Sequence, residues 1–289
     1  MNPVHLQTLL AIADEGSFEM AAYALGVSPS AVSQRIKALE KSAGRVLLRR
    51  ETPVTVTEAG EVLVQAARRM ALVEAETENQ LRKGLGHIPL SVGVNADSLS
   101  TWFKEVLATA AGWGDATLTL RIEDEAHTLD LLRKGDVLGA VTREQDPVSG
   151  CEVVPLGTMN YYPVATPWLL DRFTHDGEID WINLPVLRFG PRDGLQDQDL
   201  ISRVGHQIRQ RRVSQVPSAE AFMEAARVGL GWALLPEAQA SALLGRGEVV
   251  LVDDQVLEVP LFWQRWRLES PALERLTEAV VGAARVLHP

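Results

Sequence analysis

Apolar residues recur along the first eighty or so positions with a helical period, and the breaks in the pattern are those that end helices. Leu6, Leu9, Leu10 and Ala13 stand at helical spacing, and Gly16 follows where a helix C-terminus favours glycine. Ser17 is placed to cap a second helix carrying Met20, Ala21 and Ala24, which Gly26 closes. Ser28, followed by Pro29, opens a third. A turn of about three residues separates the second and third helices, and the alanines permit a close crossing; this is the helix-turn-helix pattern. On the third helix Val32, Ile36, Leu39 and Ala43 share one face at about 100° per residue. Ser30, Ser33, Gln34, Lys37 and Lys41 share the opposite face.

Two β-prone runs come next, Val46 to Arg49 and Val54 to Val56, joined by "RETP". They predict a two-stranded wing with Arg49 and Arg50 near its tip or base. Thr57 then caps a long helix running to about Lys83, where "GLGHIP" breaks it. Along that helix Ala59, Leu63, Ala66, Met70, Val73 and Thr77 alternate by fours and threes, the spacing of a coiled-coil seam. Ala and Thr are poor knobs, so a helix packed on its own domain is the competing reading. From residue 88 onward, β-rich runs alternate with amphipathic stretches, as in "IPLSVGVNADSLSTWF" and "VPSAEAFMEAARVGLGWALLPE". That alternation predicts an α/β architecture with mostly parallel sheets.

Charge sharpens this picture. The 289-residue chain carries a formal charge of −10, yet Arg35, Lys37, Lys41, Arg45, Arg49 and Arg50 face only Glu40 between positions 35 and 50. A local basic patch on an acidic chain points to one segment that meets a polyanion and another that does not. A stripe of hydroxyls, one amide and two cations suits the major groove: serine and glutamine read base edges, and lysine and arginine neutralise phosphates. Other chemistry is poorly supported. The single cysteine, Cys151, allows neither an intrachain disulfide nor a Cys-rich zinc site. The six histidines are scattered, and neither a G-x-S-x-G elbow nor a strand-to-helix G-x-G-x-x-G occurs, so no enzyme, metal or cofactor is expected. The N-terminus lacks the features of a signal peptide, and no apolar run approaches the roughly 20 residues of a membrane span. The expectation is a cytoplasmic protein with no membrane partner.

The stretch "FEMAAYALGVSPSAVSQRIKALEKSAGRVLLRR" followed by "VTVTEAGE" resembles the N-terminal domain of LysR-type transcriptional regulators. The shared positions are Ala21, Ala22 and Leu25; Ser28, Ser30, Ala31, Val32, Ser33, Ile36, Leu39 and Glu40; Gly44, Leu47 and Arg50; and Thr57, Ala59 and Gly60. Leu48 departs from the Phe usual in the family's wing. "NADSLSTWF", "EDEAHTL", "GDVLGAVTRE" and "QRWRLES" resemble the branch that responds to lysine or arginine and governs amino acid export. The resemblance implies α/β overall: an N-terminal winged helix-turn-helix over 1–58, a linker and dimerisation helix over 59–87, and a regulatory domain over 88–289. That last domain would comprise two α/β subdomains like a periplasmic binding protein, one of about 88–162 with 267–289 and the other of about 163–266, with a ligand cleft between them.

The implied partners are a double-stranded DNA operator, a basic amino acid (lysine or arginine, with histidine as a further candidate) and a second copy of the chain in a homodimer or homotetramer. RNA polymerase stays open as another partner, and so does the choice between activation and repression. The competing reading is a nucleoid-associated binder or a replication-initiation inhibitor that acts by site occupancy without an effector. DNA contact is expected from Ser17, Ser28, Ser30, Ser33, Gln34, Arg35, Lys37, Arg49 and Arg50. Effector contact is expected beyond the carboxyl ends of strands. Asp97 and Ser98 open a helix there, whose free amides suit a carboxylate. Glu123, Asp124 and Glu125, with Thr128 close by, form an acidic turn suited to a cationic side chain. Thr142, Phe189, Asp193, Ser218 and Trp232 complete the candidate set, although a buried core role suits Trp232 equally well.

Overall fold

A computed structural model of the chain describes residues 1–81, 87–123, 127–191, 193–205 and 211–289. The chain forms two compact units. The first comprises Met1–Val94, Ala108–Val154 and Trp263–Ala279, and the second Asn95–Leu107, Pro155–Phe262 and Val280–Pro289.

The first unit opens with α1 (Pro3–Glu15), α2 (Phe18–Ala24) and α3 (Pro29–Ala43). Their boundaries follow from local chemistry. Asn2, Ser17 and Ser28 each accept a hydrogen bond from a first-turn amide, and Gly16 and Gly44 end α1 and α3 in the left-handed conformation. The short antiparallel wing of β1 (Leu48–Arg49) and β2 (Thr55–Val56) pairs Leu48 with Val56. Leu48 is buried, so a leucine here fills the core position that the family usually gives to Phe. Leu9, Ile12, Val32, Ile36, Leu39 and Leu47 form the core of this segment.

Next comes α4 (Glu58–Leu81), which buries Val64, Ala67 and Leu72. Gly60 in its first turn has no room for a side chain, because a Cβ would lie 2.2 Å from the Leu47 carbonyl oxygen. The expected seam divides. Ala59 and Leu63 pack on the N-terminal core, while Met70 and Val73 stay exposed, with Val62 and Leu81 on either side of them in sequence.

Beyond α4 the chain runs through β3 (Ile88–Val94), α5 (Ala96–Ser100), α6 (Lys104–Ala110), β4 (Ala116–Ile122), α7 (Thr128–Lys134), β5 (Gly139–Thr142) and β6 (Cys151–Ala165). In the first unit β3 lies between β4 and β5 and is parallel to both. Helix α4 docks on the C-terminal end of α7. The Gln65 amide donates to the Arg133 carbonyl, and the Arg68 guanidinium to the Gly135 carbonyl, satisfying acceptors that a helix end leaves free. Gly135 permits the approach, since a Cβ there would lie 2.6 Å from Gln65. Arg68 also meets Asp14 of α1 at 2.5 Å, and Arg121 of β4 reaches the same carboxylate at 2.9 Å.

The second unit holds α8 (Pro167–Arg172), the hairpin of β7 (Thr174–His175) and β8 (Glu178–Ile179), β9 (Val186–Arg188), α9 (Leu195–Val204), β10 (Val213–Gln215), α10 (Ala219–Arg227), β11 (Ala233–Pro236), α11 (Glu237–Gly245) and β12 (Val250–Leu251). β13 (Leu257–Trp266) and α12 (Pro271–Ala283) lead to the C-terminus. β9 and β10 pair parallel, whereas β11 and β12 pair antiparallel with β6. The architecture is therefore mixed rather than mostly parallel: β11 and β12 are short return strands laid along the 15-residue β6. Among the described residues no helix is long and apolar enough to cross a membrane, and no cluster of three or more His, Cys, Asp or Glu is placed to hold a metal.

Candidate DNA-recognition surface and ligand site

Helix α3 turns its apolar stripe inward, with Val32, Ile36 and Leu39 wholly buried. Ser30, Gln34, Lys37 and Lys41 are exposed, and Ser33 is half-buried. The one acid of the basic segment does not join this face. A Glu40 carboxylate oxygen accepts from the Leu47 amide at 3.0 Å, which ties α3 to the wing. The Ser28 hydroxyl accepts from the Ala31 amide and shares a 2.9 Å bond with Ser30. The Ser17 hydroxyl caps α2 and donates to Glu19 at 3.0 Å. Arg35 is half-buried and donates to Thr8 at 3.4 Å, so its guanidinium braces α1 as well as standing beside the polar stripe. Arg49 and Arg50 are exposed on the wing, with the Arg50 guanidinium 5.7 Å from the Phe18 ring centre. Pairing of β1 with β2 holds Arg49 on the wing opposite Thr55, while Arg50 lies beside Phe18 at the amino-terminal end of α2.

The expected ligand residues fall in both units. In the first, Thr128 and Thr142 are buried at the start of α7 and the end of β5, and the Thr142 hydroxyl accepts from the Glu144 amide at 3.2 Å. Glu123 follows β4, its amide donating to the Val94 carbonyl at 3.3 Å. Asp124 and Glu125 lie outside the described residues.

In the second unit, Asn95 caps α5 by accepting from the Ser98 amide at 3.1 Å. Asp97 accepts from the Tyr161 hydroxyl at 3.0 Å, and the buried Ser98 hydroxyl has no hydrogen-bond partner among the described residues. Asp193 is a loop brace: its carboxylate accepts from the amides of Phe189 at 2.8 Å and Leu195 at 3.0 Å, and so shapes the turn into α9. Phe189 is half-buried, with its ring 6.5 Å from that of Phe222. Ser218 is exposed and caps α10 through the Ala221 amide. Trp232 departs from the role of a cleft wall. It is fully buried in the second unit, edge-on to Trp181 with ring centres 5.5 Å apart, and its backbone bridges to Val186, so it is a core residue.

One cluster in the second unit carries no sequence motif. Arg188 and Arg211 both pair with Asp197 in the first turn of α9. Burial, together with repulsion from Arg188, lowers the pKa of Arg211. These arginines are separated by more than twenty positions in the chain, and only the parallel pairing of β9 with β10 brings them together.

Comparison with known proteins bears on both halves. Residues 3–61 match the bacterial regulatory helix-turn-helix protein, lysR family, and residues 86–285 match the LysR substrate binding domain. The chain is 66% identical over 285 residues to the lysine export transcriptional regulatory protein LysG of Corynebacterium efficiens, covering 99% of this chain and 98% of that one. Among solved structures it resembles full-length LysG of Corynebacterium glutamicum with bound effector Arg (61% identity, TM-score 0.81, all of both chains). It also resembles ArgP of Mycobacterium tuberculosis (43% identity, TM-score 0.84, 98% of this chain and 97% of that one). A basic reading helix with a wing on one side, and an α/β domain matched almost end to end on the other, lead to one conclusion: the chain belongs to the LysR family of bacterial transcriptional regulators.

Proposed function

We propose that the chain is a sequence-specific DNA-binding regulator whose activity responds to a basic amino acid, arginine or lysine, and that it controls an amino acid exporter gene. The polar face of α3 supports the DNA half: Gln34 and Ser30 meet base edges, while Lys37, Arg49 and Arg50 meet phosphate. The observation that carries the effector half is the bound arginine of a 61% identical, full-length relative. Two chemical features of this chain agree with it. Glu123 opens an acidic stretch after β4 that suits a cationic side chain. The Ser98 hydroxyl in the first turn of α5, which has no hydrogen-bond partner among the described residues, suits a carboxylate.

Isothermal titration with arginine, lysine, histidine and leucine tests the effector half. Arginine and lysine should bind and leucine should not. Glu123→Ala should weaken the basic ligands by roughly tenfold, the value of one lost charge-assisted hydrogen bond. Leucine binding as tightly as arginine would exclude a site selective for cations.

A further inference from the structure

Arg35 stands apart from the other cations of the N-terminal segment. Lys37, Lys41, Arg45, Arg49 and Arg50 are exposed, whereas Arg35 is half-buried. At about 100° per residue it falls on the flank of α3, one step round from Gln34 on the polar side and one from Ile36 on the core side. Among the described residues its guanidinium has no carboxylate partner, and its one hydrogen bond is to Thr8 of α1 at 3.4 Å. Withdrawing a charge from water is costly unless an opposite charge meets it, so Arg35 is left short of an anion.

Thr8 is built to hold that guanidinium. It is wholly buried, and its hydroxyl donates to the Val4 carbonyl one turn back at 2.8 Å. A hydroxyl has one proton and two lone pairs, so Thr8 can only accept towards α3. An acceptor fixed in direction selects among the rotamers of a long side chain and leaves the other N–H groups of the guanidinium free. Ala31 and Ala38, four positions before Arg35 and three after it, share its flank and are too small to cover it; Ala38 is exposed.

We infer that Thr8 is a positioning residue for DNA binding: its hydroxyl holds the Arg35 guanidinium where a backbone phosphate meets it. The inference rests on the DNA-binding reading above. Phosphate rather than a base edge is the target, because Arg35 lies on the flank of α3 and outside the stripe of Ser30, Gln34 and Lys37. Thr8, being buried, acts only through Arg35. A long cationic side chain loses rotamer freedom when a phosphate immobilises it, and the Thr8 bond takes part of that loss before DNA arrives.

The probe is a DNA duplex selected from a random pool by the full unaltered chain, with affinity read by fluorescence anisotropy. Thr8→Val keeps the shape of the side chain and removes the hydroxyl, and Thr8→Ser keeps the hydroxyl. Thr8→Val should weaken binding roughly fivefold, the cost of immobilising one long side chain, and Thr8→Ser should restore it. Arg35→Ala should lower the salt slope by roughly one unit. In the Arg35→Ala background Thr8→Val should have no further effect, whereas a packing defect in α1 would weaken binding in both backgrounds. Single methylphosphonates, each removing one phosphate charge, locate the contact: one of them should weaken the unaltered chain, spare Arg35→Ala and have a reduced effect on Thr8→Val. Full binding by Thr8→Val, or an equal loss with and without Arg35, would overturn the inference and leave the DNA-binding reading intact. Full binding by Arg35→Ala would remove the cation through which Thr8 acts. Failure of the unaltered chain to select any duplex would overturn the DNA-binding reading itself, and the inference with it.

Discussion

Gln34 and Asp136 show how differently single side chains bear on this protein. Gln34 is exposed on the polar face of α3, with Ser30 and Lys37 as neighbours. Gln34→Ala should cost about 1–3 kcal/mol at one base position and relax preference there. A competition gel-shift against operators varied one position at a time measures this, and an unchanged ranking would show that Gln34 reads no base. Asp136 sits beside the Gly135 turn, where burial raises its pKa above 3.8 despite Arg68, Arg121 and Lys134 nearby. A carboxylate with a raised folded-state pKa binds more protons folded than unfolded. Its contribution therefore favours the fold at low pH and is lost as pH rises from about 4 through the raised value. Asp136→Asn should then raise the urea midpoint at pH 7 more than at pH 4. An equal gain at both would place the effect in packing rather than in charge.

At the scale of elements, α4 carries two duties on one helix. Its inner face joins the N-terminal core through Val64 and Ala67, and Ala59 and Leu63 add to that packing. Met70 and Val73 remain 46% and 51% exposed, and with Ala66 they flank an open apolar groove. If α4 pairs with a second copy, these are the positions left for it. Met70→Lys combined with Val73→Glu should yield monomers by sedimentation and weaken binding to a two-half-site operator, while Leu63→Glu should instead destabilise the N-terminal fold.

The sequence shows why these two duties were hard to separate. A four-three alternation is satisfied equally by a partner helix and by a domain's own core, so Leu63 and Met70 look alike until the wing and α1 are in place. The caps Ser17 and Ser28, the left-handed Gly16 and the buried triad of α3 were all legible, because each depends on neighbours within one helical turn, whereas Gly44 at the end of α3 was not read as a cap. The antiparallel strands along β6 and the Arg188–Asp197–Arg211 cluster were not legible, and Trp232 stayed open between core and cleft, because these arise from strands remote in sequence. Local patterning has no term for such pairings.

At the scale of the molecule, the first unit is more than a DNA-binding head attached to a stalk. Asp14 in α1 takes one arginine from α4 and one from β4, and at the far end of α4 Glu76 accepts from Ser270 at 2.6 Å. Helix α4 is thereby fastened at several points along a length of about 36 Å. If the proposed effector alters DNA affinity by some factor, operator DNA must alter effector affinity by the same factor, since both are one coupling free energy read from two ends. Asp14 and Arg121 bond directly across that path. Arg121→Ala should therefore shrink both factors together: the effector-induced change in operator affinity, and the operator-induced change in arginine affinity measured by titration with and without DNA. A variant that left both factors at the values of the unaltered chain would show that the fastening is not the route of communication. If both factors shrink, the Asp14 carboxylate is a two-way conduit, by which occupancy of the operator is registered at the ligand site as surely as ligand is registered at the operator.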